Sequence, residues 1–182
     1  MIKNIKKEEY VIVLDFLPHG HINEGKPQPI AQVIGKEMFT LLEVTPKKGV
    51  FLKPGEEVYI GPGKREKVHH ILGRIRYDKL TNMAKSELES VVEKLVSQKE
   101  DQFVRFFNEA KGITSRLHEF EVLPGIGRKH MWDLIKERES APFKSFEDIK
   151  QRVKLIPDVK KVIIKRIIEE LQDKDRHKIF TQ

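Results

Sequence analysis

The feature that most constrains this chain is a repeat in its last third. At an offset of 33 residues, Val122-Leu123-Pro124-Gly125-Ile126 lies over Leu155-Ile156-Pro157-Asp158-Val159, Leu134-Ile135 over Ile167-Ile168, and Phe120 over Val153. Each copy reads as a short helix, a tight proline-containing turn and a longer amphipathic helix: 114–121 with 127–138, then 146–153 with 159–172. Ser145-Phe146-Glu147-Asp148 has the spacing of a capping box at the start of the third of these helices. One such unit exposes an apolar face that it cannot bury alone. Two copies can bury theirs against each other, so the repeat predicts a self-contained helical domain.

The turn of the first copy carries the clearest chemistry. In Leu123-Pro124-Gly125-Ile126-Gly127-Arg128-Lys129, two glycines flank one aliphatic residue and basic residues follow. Gly125 and Gly127 tolerate φ > 0 and have no Cβ to block a ligand, while Ile126 can face the core. The N–H groups from Gly125 to Lys129 then suit a phosphate at the start of the following helix, with Arg128 and Lys129 adding charge-assisted bonds. Such contacts hold a backbone and read no sequence. In the second copy Asp158 and Lys160 stand where Gly125 and Gly127 stand in the first. An acidic side chain at the turn repels phosphate, so this copy is read as structural. Lys160 and Lys161, with Lys165 and Arg166, still have the charge to touch a nucleic-acid backbone.

Composition narrows the partners. The chain has 182 residues, a formal charge of +7 and a sequence pI near 9.4, which suits a polyanion. Residues 1–82 and 113–182 each carry a net +4, whereas 83–112 carry −1, the pattern of two basic modules joined by a structural segment. With no Cys, disulfides, thiolate zinc sites, iron–sulfur clusters and cysteine nucleophiles are excluded. Met1-Ile2-Lys3-Asn4-Ile5-Lys6-Lys7 lacks the apolar stretch of a signal peptide, and no run is long enough to span a bilayer. The expectation is a cytoplasmic protein with no membrane partner.

Before the repeat the chain is β-rich. Strands are expected at 10–17, 30–34, 38–44, 57–60 and 71–77. They are separated by the polar loop Pro18 to Pro29, by Gly35-Lys36, by Lys53-Pro54-Gly55-Glu56 and by Gly61-Pro62-Gly63-Lys64. Five short strands with no long helix between them suggest a small closed barrel of the oligonucleotide-binding type. From Thr81 the period becomes helical: Leu88, Val91, Val92, Leu95 and Val96 form one stripe, with Thr81 or Ser86 as its cap. Phe103, Val104, Phe106 and Phe107 mark a second helix, read as core rather than a stacking platform, which Gly112 ends. The fold class is therefore α+β, with a barrel over 1–80, a helical connector over 81–112 and the helical repeat over 113–182.

The barrel offers a second basic surface of Lys64, Arg65, Lys67, His69, His70, Arg74 and Arg76, the last two arginines expected on one strand face. Tyr59 and Tyr77 are candidate stacking groups, against the plainer reading of strand packing. Gly61-Pro62-Gly63-Lys64 does not have the spacing of a nucleotide-triphosphate loop. His19, His21, His69 and His70 lack carboxylates at ligand spacing, so no metal and no other cofactor is expected.

On these residues, 113–172 resembles a tandem helix-hairpin-helix domain, with Met131 where that motif usually has Ala. The whole chain, including Phe103-Val104-Arg105-Phe106-Phe107-Asn108-Glu109-Ala110 and Ile113-Thr114-Ser115-Arg116-Leu117-His118, resembles an archaeal family of unknown function. That family combines an N-terminal barrel with a C-terminal tandem hairpin domain. The resemblance implies binding of RNA or other nucleic acid. It implies no catalysis and leaves oligomeric state open. Some DNA glycosylases share a similar Leu-Pro-Gly-Ile-Gly-Arg-Lys hairpin followed by a catalytic Asp, but Asp148 here sits in an unrelated context before a second hairpin. The expected function is a non-catalytic nucleic-acid-binding protein, RNA favoured over DNA. A protein-interaction scaffold on a ribosome-associated or replication-associated partner is the alternative.

Overall fold

The computed structural model describes residues 7–22, 25 and 27–182. The N-terminal segment Met1–Lys6 and part of the Pro18 to Pro29 loop, on which sequence expectations were also placed, lie outside the described residues.

Alternating aliphatic residues build the first half. β1 (Tyr10–Leu17), β2 (Ile30–Gly35), β3 (Leu41–Pro46), β4 (Glu57–Tyr59) and β5 (Val68–Arg74) form one antiparallel sheet in the order β4-β1-β2-β3-β5. The sheet curls into a half-barrel, with β4 and β5 as its two ends rather than a paired seam. Val11, Val13, Ala31, Val33, Leu42, Val44, Val58 and Val68 fill one apolar core with Leu52 and Ile60. Bulges between Val13 and Asp15, and at Glu43/Val44, supply the curvature.

β2 is buried along its whole length, so its one polar side chain has to be satisfied internally. Gln32 donates to the carboxylate of Glu43 at 3.0 Å and to the carbonyl of Lys79 at 3.1 Å, and accepts from the N–H of Thr81 at 2.8 Å. Thr81 in turn donates its hydroxyl to Asp15 and accepts from the N–H of Ala84, capping α1 (Asn82–Gln98). Thr81, not Ser86, is the cap.

Two strands are offset from their expected positions. β3 begins at Leu41 because a turn at Lys36–Met38 is followed by Phe39 at φ 55°. The buried Glu8 carboxylate holds that turn by accepting from the N–H groups of Glu37, Met38 and Thr40. β5 starts at Val68 and ends at Arg74, after Gly73 at φ 142°, and Tyr77–Lys79 form a 3-10 turn. Arg76 is thus off the strand and does not share a face with Arg74.

The chain divides into two compact units, the first running to Val91 with Leu171–Lys174 and Phe180–Gln182, the second holding Val92–Glu170 and Asp175–Ile179. In the second, α2 (Glu100–Glu109) buries Phe103, Val104 and Phe107, with Phe106 edge-on to Phe107 and Phe120. It ends at Ala110, which turns extended, and Gly112 instead opens a ribbon of β6 (Gly112–Thr114) and β7 (Leu117–His118). This ribbon and a single 3-10 turn, Glu119–Val122, replace the helix expected over 114–121. Side chains compete with the helix there: the Thr114 hydroxyl accepts from the N–H of Arg116, His118 Nδ1 from that of Phe120, and Glu121 from that of His118.

The remaining helices follow the repeat: α3 (Arg128–Ser140), α4 (Phe146–Arg152) and α5 (Val159–Leu171). Ser145 caps α4 through the N–H of Asp148 at 3.0 Å. Phe120 and Val153, and likewise Leu134 and Ile167, are all buried. The 33-residue offset therefore holds for the core. No helix among the described residues is long and apolar enough to cross a membrane.

Substituting Gln32 by Leu leaves the Thr81 N–H and the Lys79 carbonyl without their partner. We expect a loss of about 1–3 kcal/mol of unfolding free energy, measured by urea titration.

Candidate nucleic-acid interface

Leu123 and Ile126 are buried and anchor the first hairpin, whose turn closes through the N–H of Ile126 donating to the carbonyl of Leu123 at 3.1 Å. Gly125 occupies φ 81°, and a Cβ there would lie 3.4 Å from Pro157 of the second hairpin. The conformation requires glycine. Gly127 has an ordinary extended backbone (φ −93°, ψ −175°) and is the N-cap of α3. Its carbonyl accepts the N–H of Met131 at 2.9 Å, so the N–H groups of Arg128, Lys129 and His130 have no partner within the helix. Gly127 supplies no side-chain cap, and a Cβ placed on it would meet nothing within 4 Å. Arg128 and Lys129 are exposed beside this terminus, Arg128 lying 3.5 Å from Glu121.

The second hairpin ends differently. Asp158 accepts the N–H of Val162 on its carbonyl and that of Lys161 on its side chain, both at 3.0 Å, so it caps α5 as Gly127 starts α3. The positive φ falls on Leu155, at 58°. The second turn therefore has one more residue between its left-handed position and its cap. This corrects the sequence alignment at the turn: Asp158 corresponds to Gly127, not to Gly125. Its carboxylate already occupies the helix terminus where an anion would sit. Lys160 lies 3.6 Å from Glu93, and Lys161 is exposed.

Arg166 is not a surface cation. It is 3% exposed. Its guanidinium donates to Glu170 at 2.9 Å, to the carbonyl of Val122 at 3.0 Å, to Asp175 at 3.2 Å and to the carbonyl of His177. Val122 directly precedes the hairpin, so Arg166 fixes its entry. Sequence reasoning missed this role, although a charged residue with an acidic partner four positions on, inside an apolar stripe, was a usable signal. The N–H of His177 and then Arg166 hold the Asp175 carboxyl below its usual range.

The barrel cations line two clefts. Lys64 and Lys67 line a cleft of about 380 Å³ with Tyr10 and Tyr59, and Lys67 is paired with Glu56. Arg65 and Arg74 line another, of about 480 Å³, over Leu42, Ile60 and Ile71. Arg65 donates to the Gly61 carbonyl at 2.9 Å, Arg74 to Gln182 at 3.4 Å, and Arg76 pairs with Asp78 at 3.2 Å. Tyr59 is a packing residue: it stands edge-on to Tyr10, accepts the N–H of Gly63 and fills the space a Cβ on Gly61 would need. Tyr77 sits in the 3-10 turn with the Lys85 ammonium over its ring. His21 bonds Glu43 at 2.8 Å, while His69 and His70 are exposed on β5.

Asp148, the residue nearest to a glycosylase reading, serves the fold. It accepts from the N–H of Lys144 at 2.9 Å and from Arg152 at 3.2 Å, which keep its carboxyl ionised below the usual range.

Replacing Arg166 with Leu removes the cation that faces the fully buried Glu170 carboxylate and should cost about 3–5 kcal/mol in denaturant titration. Because the native pKa of Asp175 is depressed, its contribution is complete above about pH 4 and disappears as the pH falls through the native value. An acid titration of melting temperature should therefore fall more steeply for the native chain than for Asp175→Asn.

Residues 7–182 match a family described as "Protein of unknown function (DUF655)". The chain is 47% identical over 180 residues to an uncharacterised protein of Methanocaldococcus jannaschii, MJ0038, covering 97% of this chain and 81% of that protein. It is also similar to the crystal structure of Af1531 from Archaeoglobus fulgidus, a protein of the same family, with a TM-score of 0.85 and 47% identity over 96% of this chain and 100% of that one.

Proposed function

Because the chain belongs to the DUF655 family, whose function is unknown, its role has to be read from its own geometry, and we propose that it is a non-catalytic nucleic-acid-binding protein, RNA favoured over DNA. The observation that carries this reading is the contrast between the two helix starts: α3 begins at Gly127 without a side-chain cap, and α5 begins at Asp158 with one. A phosphate placed at Gly127 accepts the open N–H groups of Arg128, Lys129 and His130 and meets the positive end of the helix. Lys129 adds a charge-assisted bond, and Arg128 adds one in competition with Glu121, 3.5 Å from it. The clamp is single, since Asp158 supplies its own carboxylate at the second hairpin.

The barrel supports the reading less strongly. Ion pairs at Lys67 and Arg76 reduce the charge available to a ligand, leaving Lys64, Arg65 and Arg74 as the residues that would follow a strand. The preference for RNA rests on the barrel's similarity to single-strand binders, not on a group that reads a 2′-hydroxyl. The structural engagement of Asp148 favours the absence of catalysis. One observation favours a protein partner as the second reading: Leu155, at the tip of the second hairpin, is 90% exposed.

Gly127→Asp tests the clamp cleanly. The site has room for the side chain and an ordinary backbone, so the substitution should retain or raise stability by a few tenths of a kcal/mol as a new N-cap. RNA affinity, measured by fluorescence anisotropy, should fall roughly tenfold or more as charge-assisted bonds are lost. The slope of log affinity against log salt should become shallower. Unchanged affinity in the folded variant would reject the clamp. Gly125→Ala is the poorer test, because it forces a left-handed alanine at about 1–2 kcal/mol.

A further inference from the structure

Trp132 is the only tryptophan of the chain, and it stands 62% exposed on α3. It lies one helical turn after Arg128, and side chains on a helix lean toward its N-terminus, which brings the indole back toward the open end of α3. Beside it, between the β6–β7 ribbon and α3, is a cleft of about 350 Å³ lined by Trp132, Met131, Ile135, Arg116, His118 and Arg128 among others. Its wall is therefore an aromatic face and two apolar side chains, and its rim carries Arg116 and Arg128 together with Glu121, which lies 3.5 Å from Arg128.

The polar groups at this cleft are those of a neutral donor–acceptor site. His118 Nδ1 accepts the N–H of Phe120 at 3.1 Å, which leaves the ring proton on Nε2. Burial first, and then the Arg138 charge, push the His118 pKa down, so the imidazole is neutral at physiological pH. Thr114 and Ser115 contribute hydroxyls. An aromatic wall with uncharged hydrogen-bonding groups, and Arg116 at the rim, complements a flat, neutral ring attached to an anionic backbone.

We propose that the cleft between the ribbon and α3 holds one unpaired nucleobase, stacked on Trp132, of a strand whose phosphate sits at the Gly127 helix start. The inference rests on the nucleic-acid reading above and deepens it: a backbone clamp alone accepts duplex and single strand alike, whereas a base in this cleft has to be unstacked. Stacking on an aromatic face tolerates any base, so the site selects for single-strandedness and not for sequence.

The lone tryptophan provides its own readout. Binding of a 12-nucleotide single-stranded RNA to the full chain is followed by anisotropy of a terminal label and, in parallel, by Trp132 emission. The single strand should quench Trp132. The same strand in a duplex, a strand of equal length made of abasic nucleotides, and inorganic phosphate should not. Trp132→Ala should weaken single-strand binding roughly tenfold without altering the melting temperature, and Trp132→Phe should restore most of it.

Anisotropy that reports single-strand binding without quenching overturns the base site while leaving the clamp intact, as does equal affinity for the abasic strand. Loss of binding in Gly127→Asp with full binding in Trp132→Ala has the same meaning. No anisotropy change with any nucleic acid overturns the nucleic-acid reading itself, and the base site with it.

Discussion

The hairpin of the second unit depends on one buried guanidinium. Arg166 donates to Glu170, Asp175 and two backbone carbonyls, and the carbonyl of Val122 is one of them. A buried cation is tolerated only when its donors are satisfied and its charge is countered. Here those same bonds tie α5, the segment after it and the approach to Leu123 into one arrangement. Leu123 and Ile126 then seal against the core, Gly125 turns the chain through φ 81°, and Gly127 starts α3 in a fixed place. Without this anchorage, the open N–H groups would belong to a mobile turn and could not be held ready for a ligand.

A helix start attracts anions in general, so the informative question is which starts are already closed. Thr81 closes α1, Ser145 closes α4 and Asp158 closes α5 with its own side chain. The starts of α2 and α3 have no side-chain cap, but Glu100 and Asp101 stand in the first turn of α2, whereas Arg128 and Lys129 open α3. A glycine at the cap of α3 forgoes only a few tenths of a kcal/mol relative to a side-chain cap, so leaving the terminus open to a ligand costs the fold little.

Much of the architecture was legible in the sequence because it rests on periodicity. Val11 and Val13, Val33, and Val44 alternate as strand residues must, and Leu88, Val91, Val92 and Leu95 recur as a helix stripe must. The places that escaped were those where side chains override local pattern. Met38 to Thr40 look like strand, but the distant Glu8 carboxylate accepts the N–H groups of Glu37, Met38 and Thr40 and keeps this stretch out of the sheet. Residues 114–121 align with a helix, but Thr114, His118 and Glu121 satisfy the backbone locally and leave a ribbon and one 3-10 turn. The repeat itself was correct for the core and off at the turn: burial of Phe120 and Leu134, and of Val153 and Ile167, preserves the spacing across each copy, while the left-handed residue and the helix cap fall at different positions between them.

The sequence by itself determined the five strands of the first half and the helices α1 to α5 in their order, the basic character of both ends and the glycine-bearing turn with Arg128 and Lys129 beside it. These depend on residue type and spacing along the chain. Only the tertiary structure decided which charges are available and which helix start is open. It buried Arg166, paired Lys67, Arg76 and Arg128 with carboxylates, and placed Asp158 across the start of α5. It also opened a cleft beside Trp132, by folding a ribbon where a helix would have stood. The reason is physical: capping, pairing and burial are set by groups brought together in space, and a charge read along a chain does not say whether another residue has already claimed it.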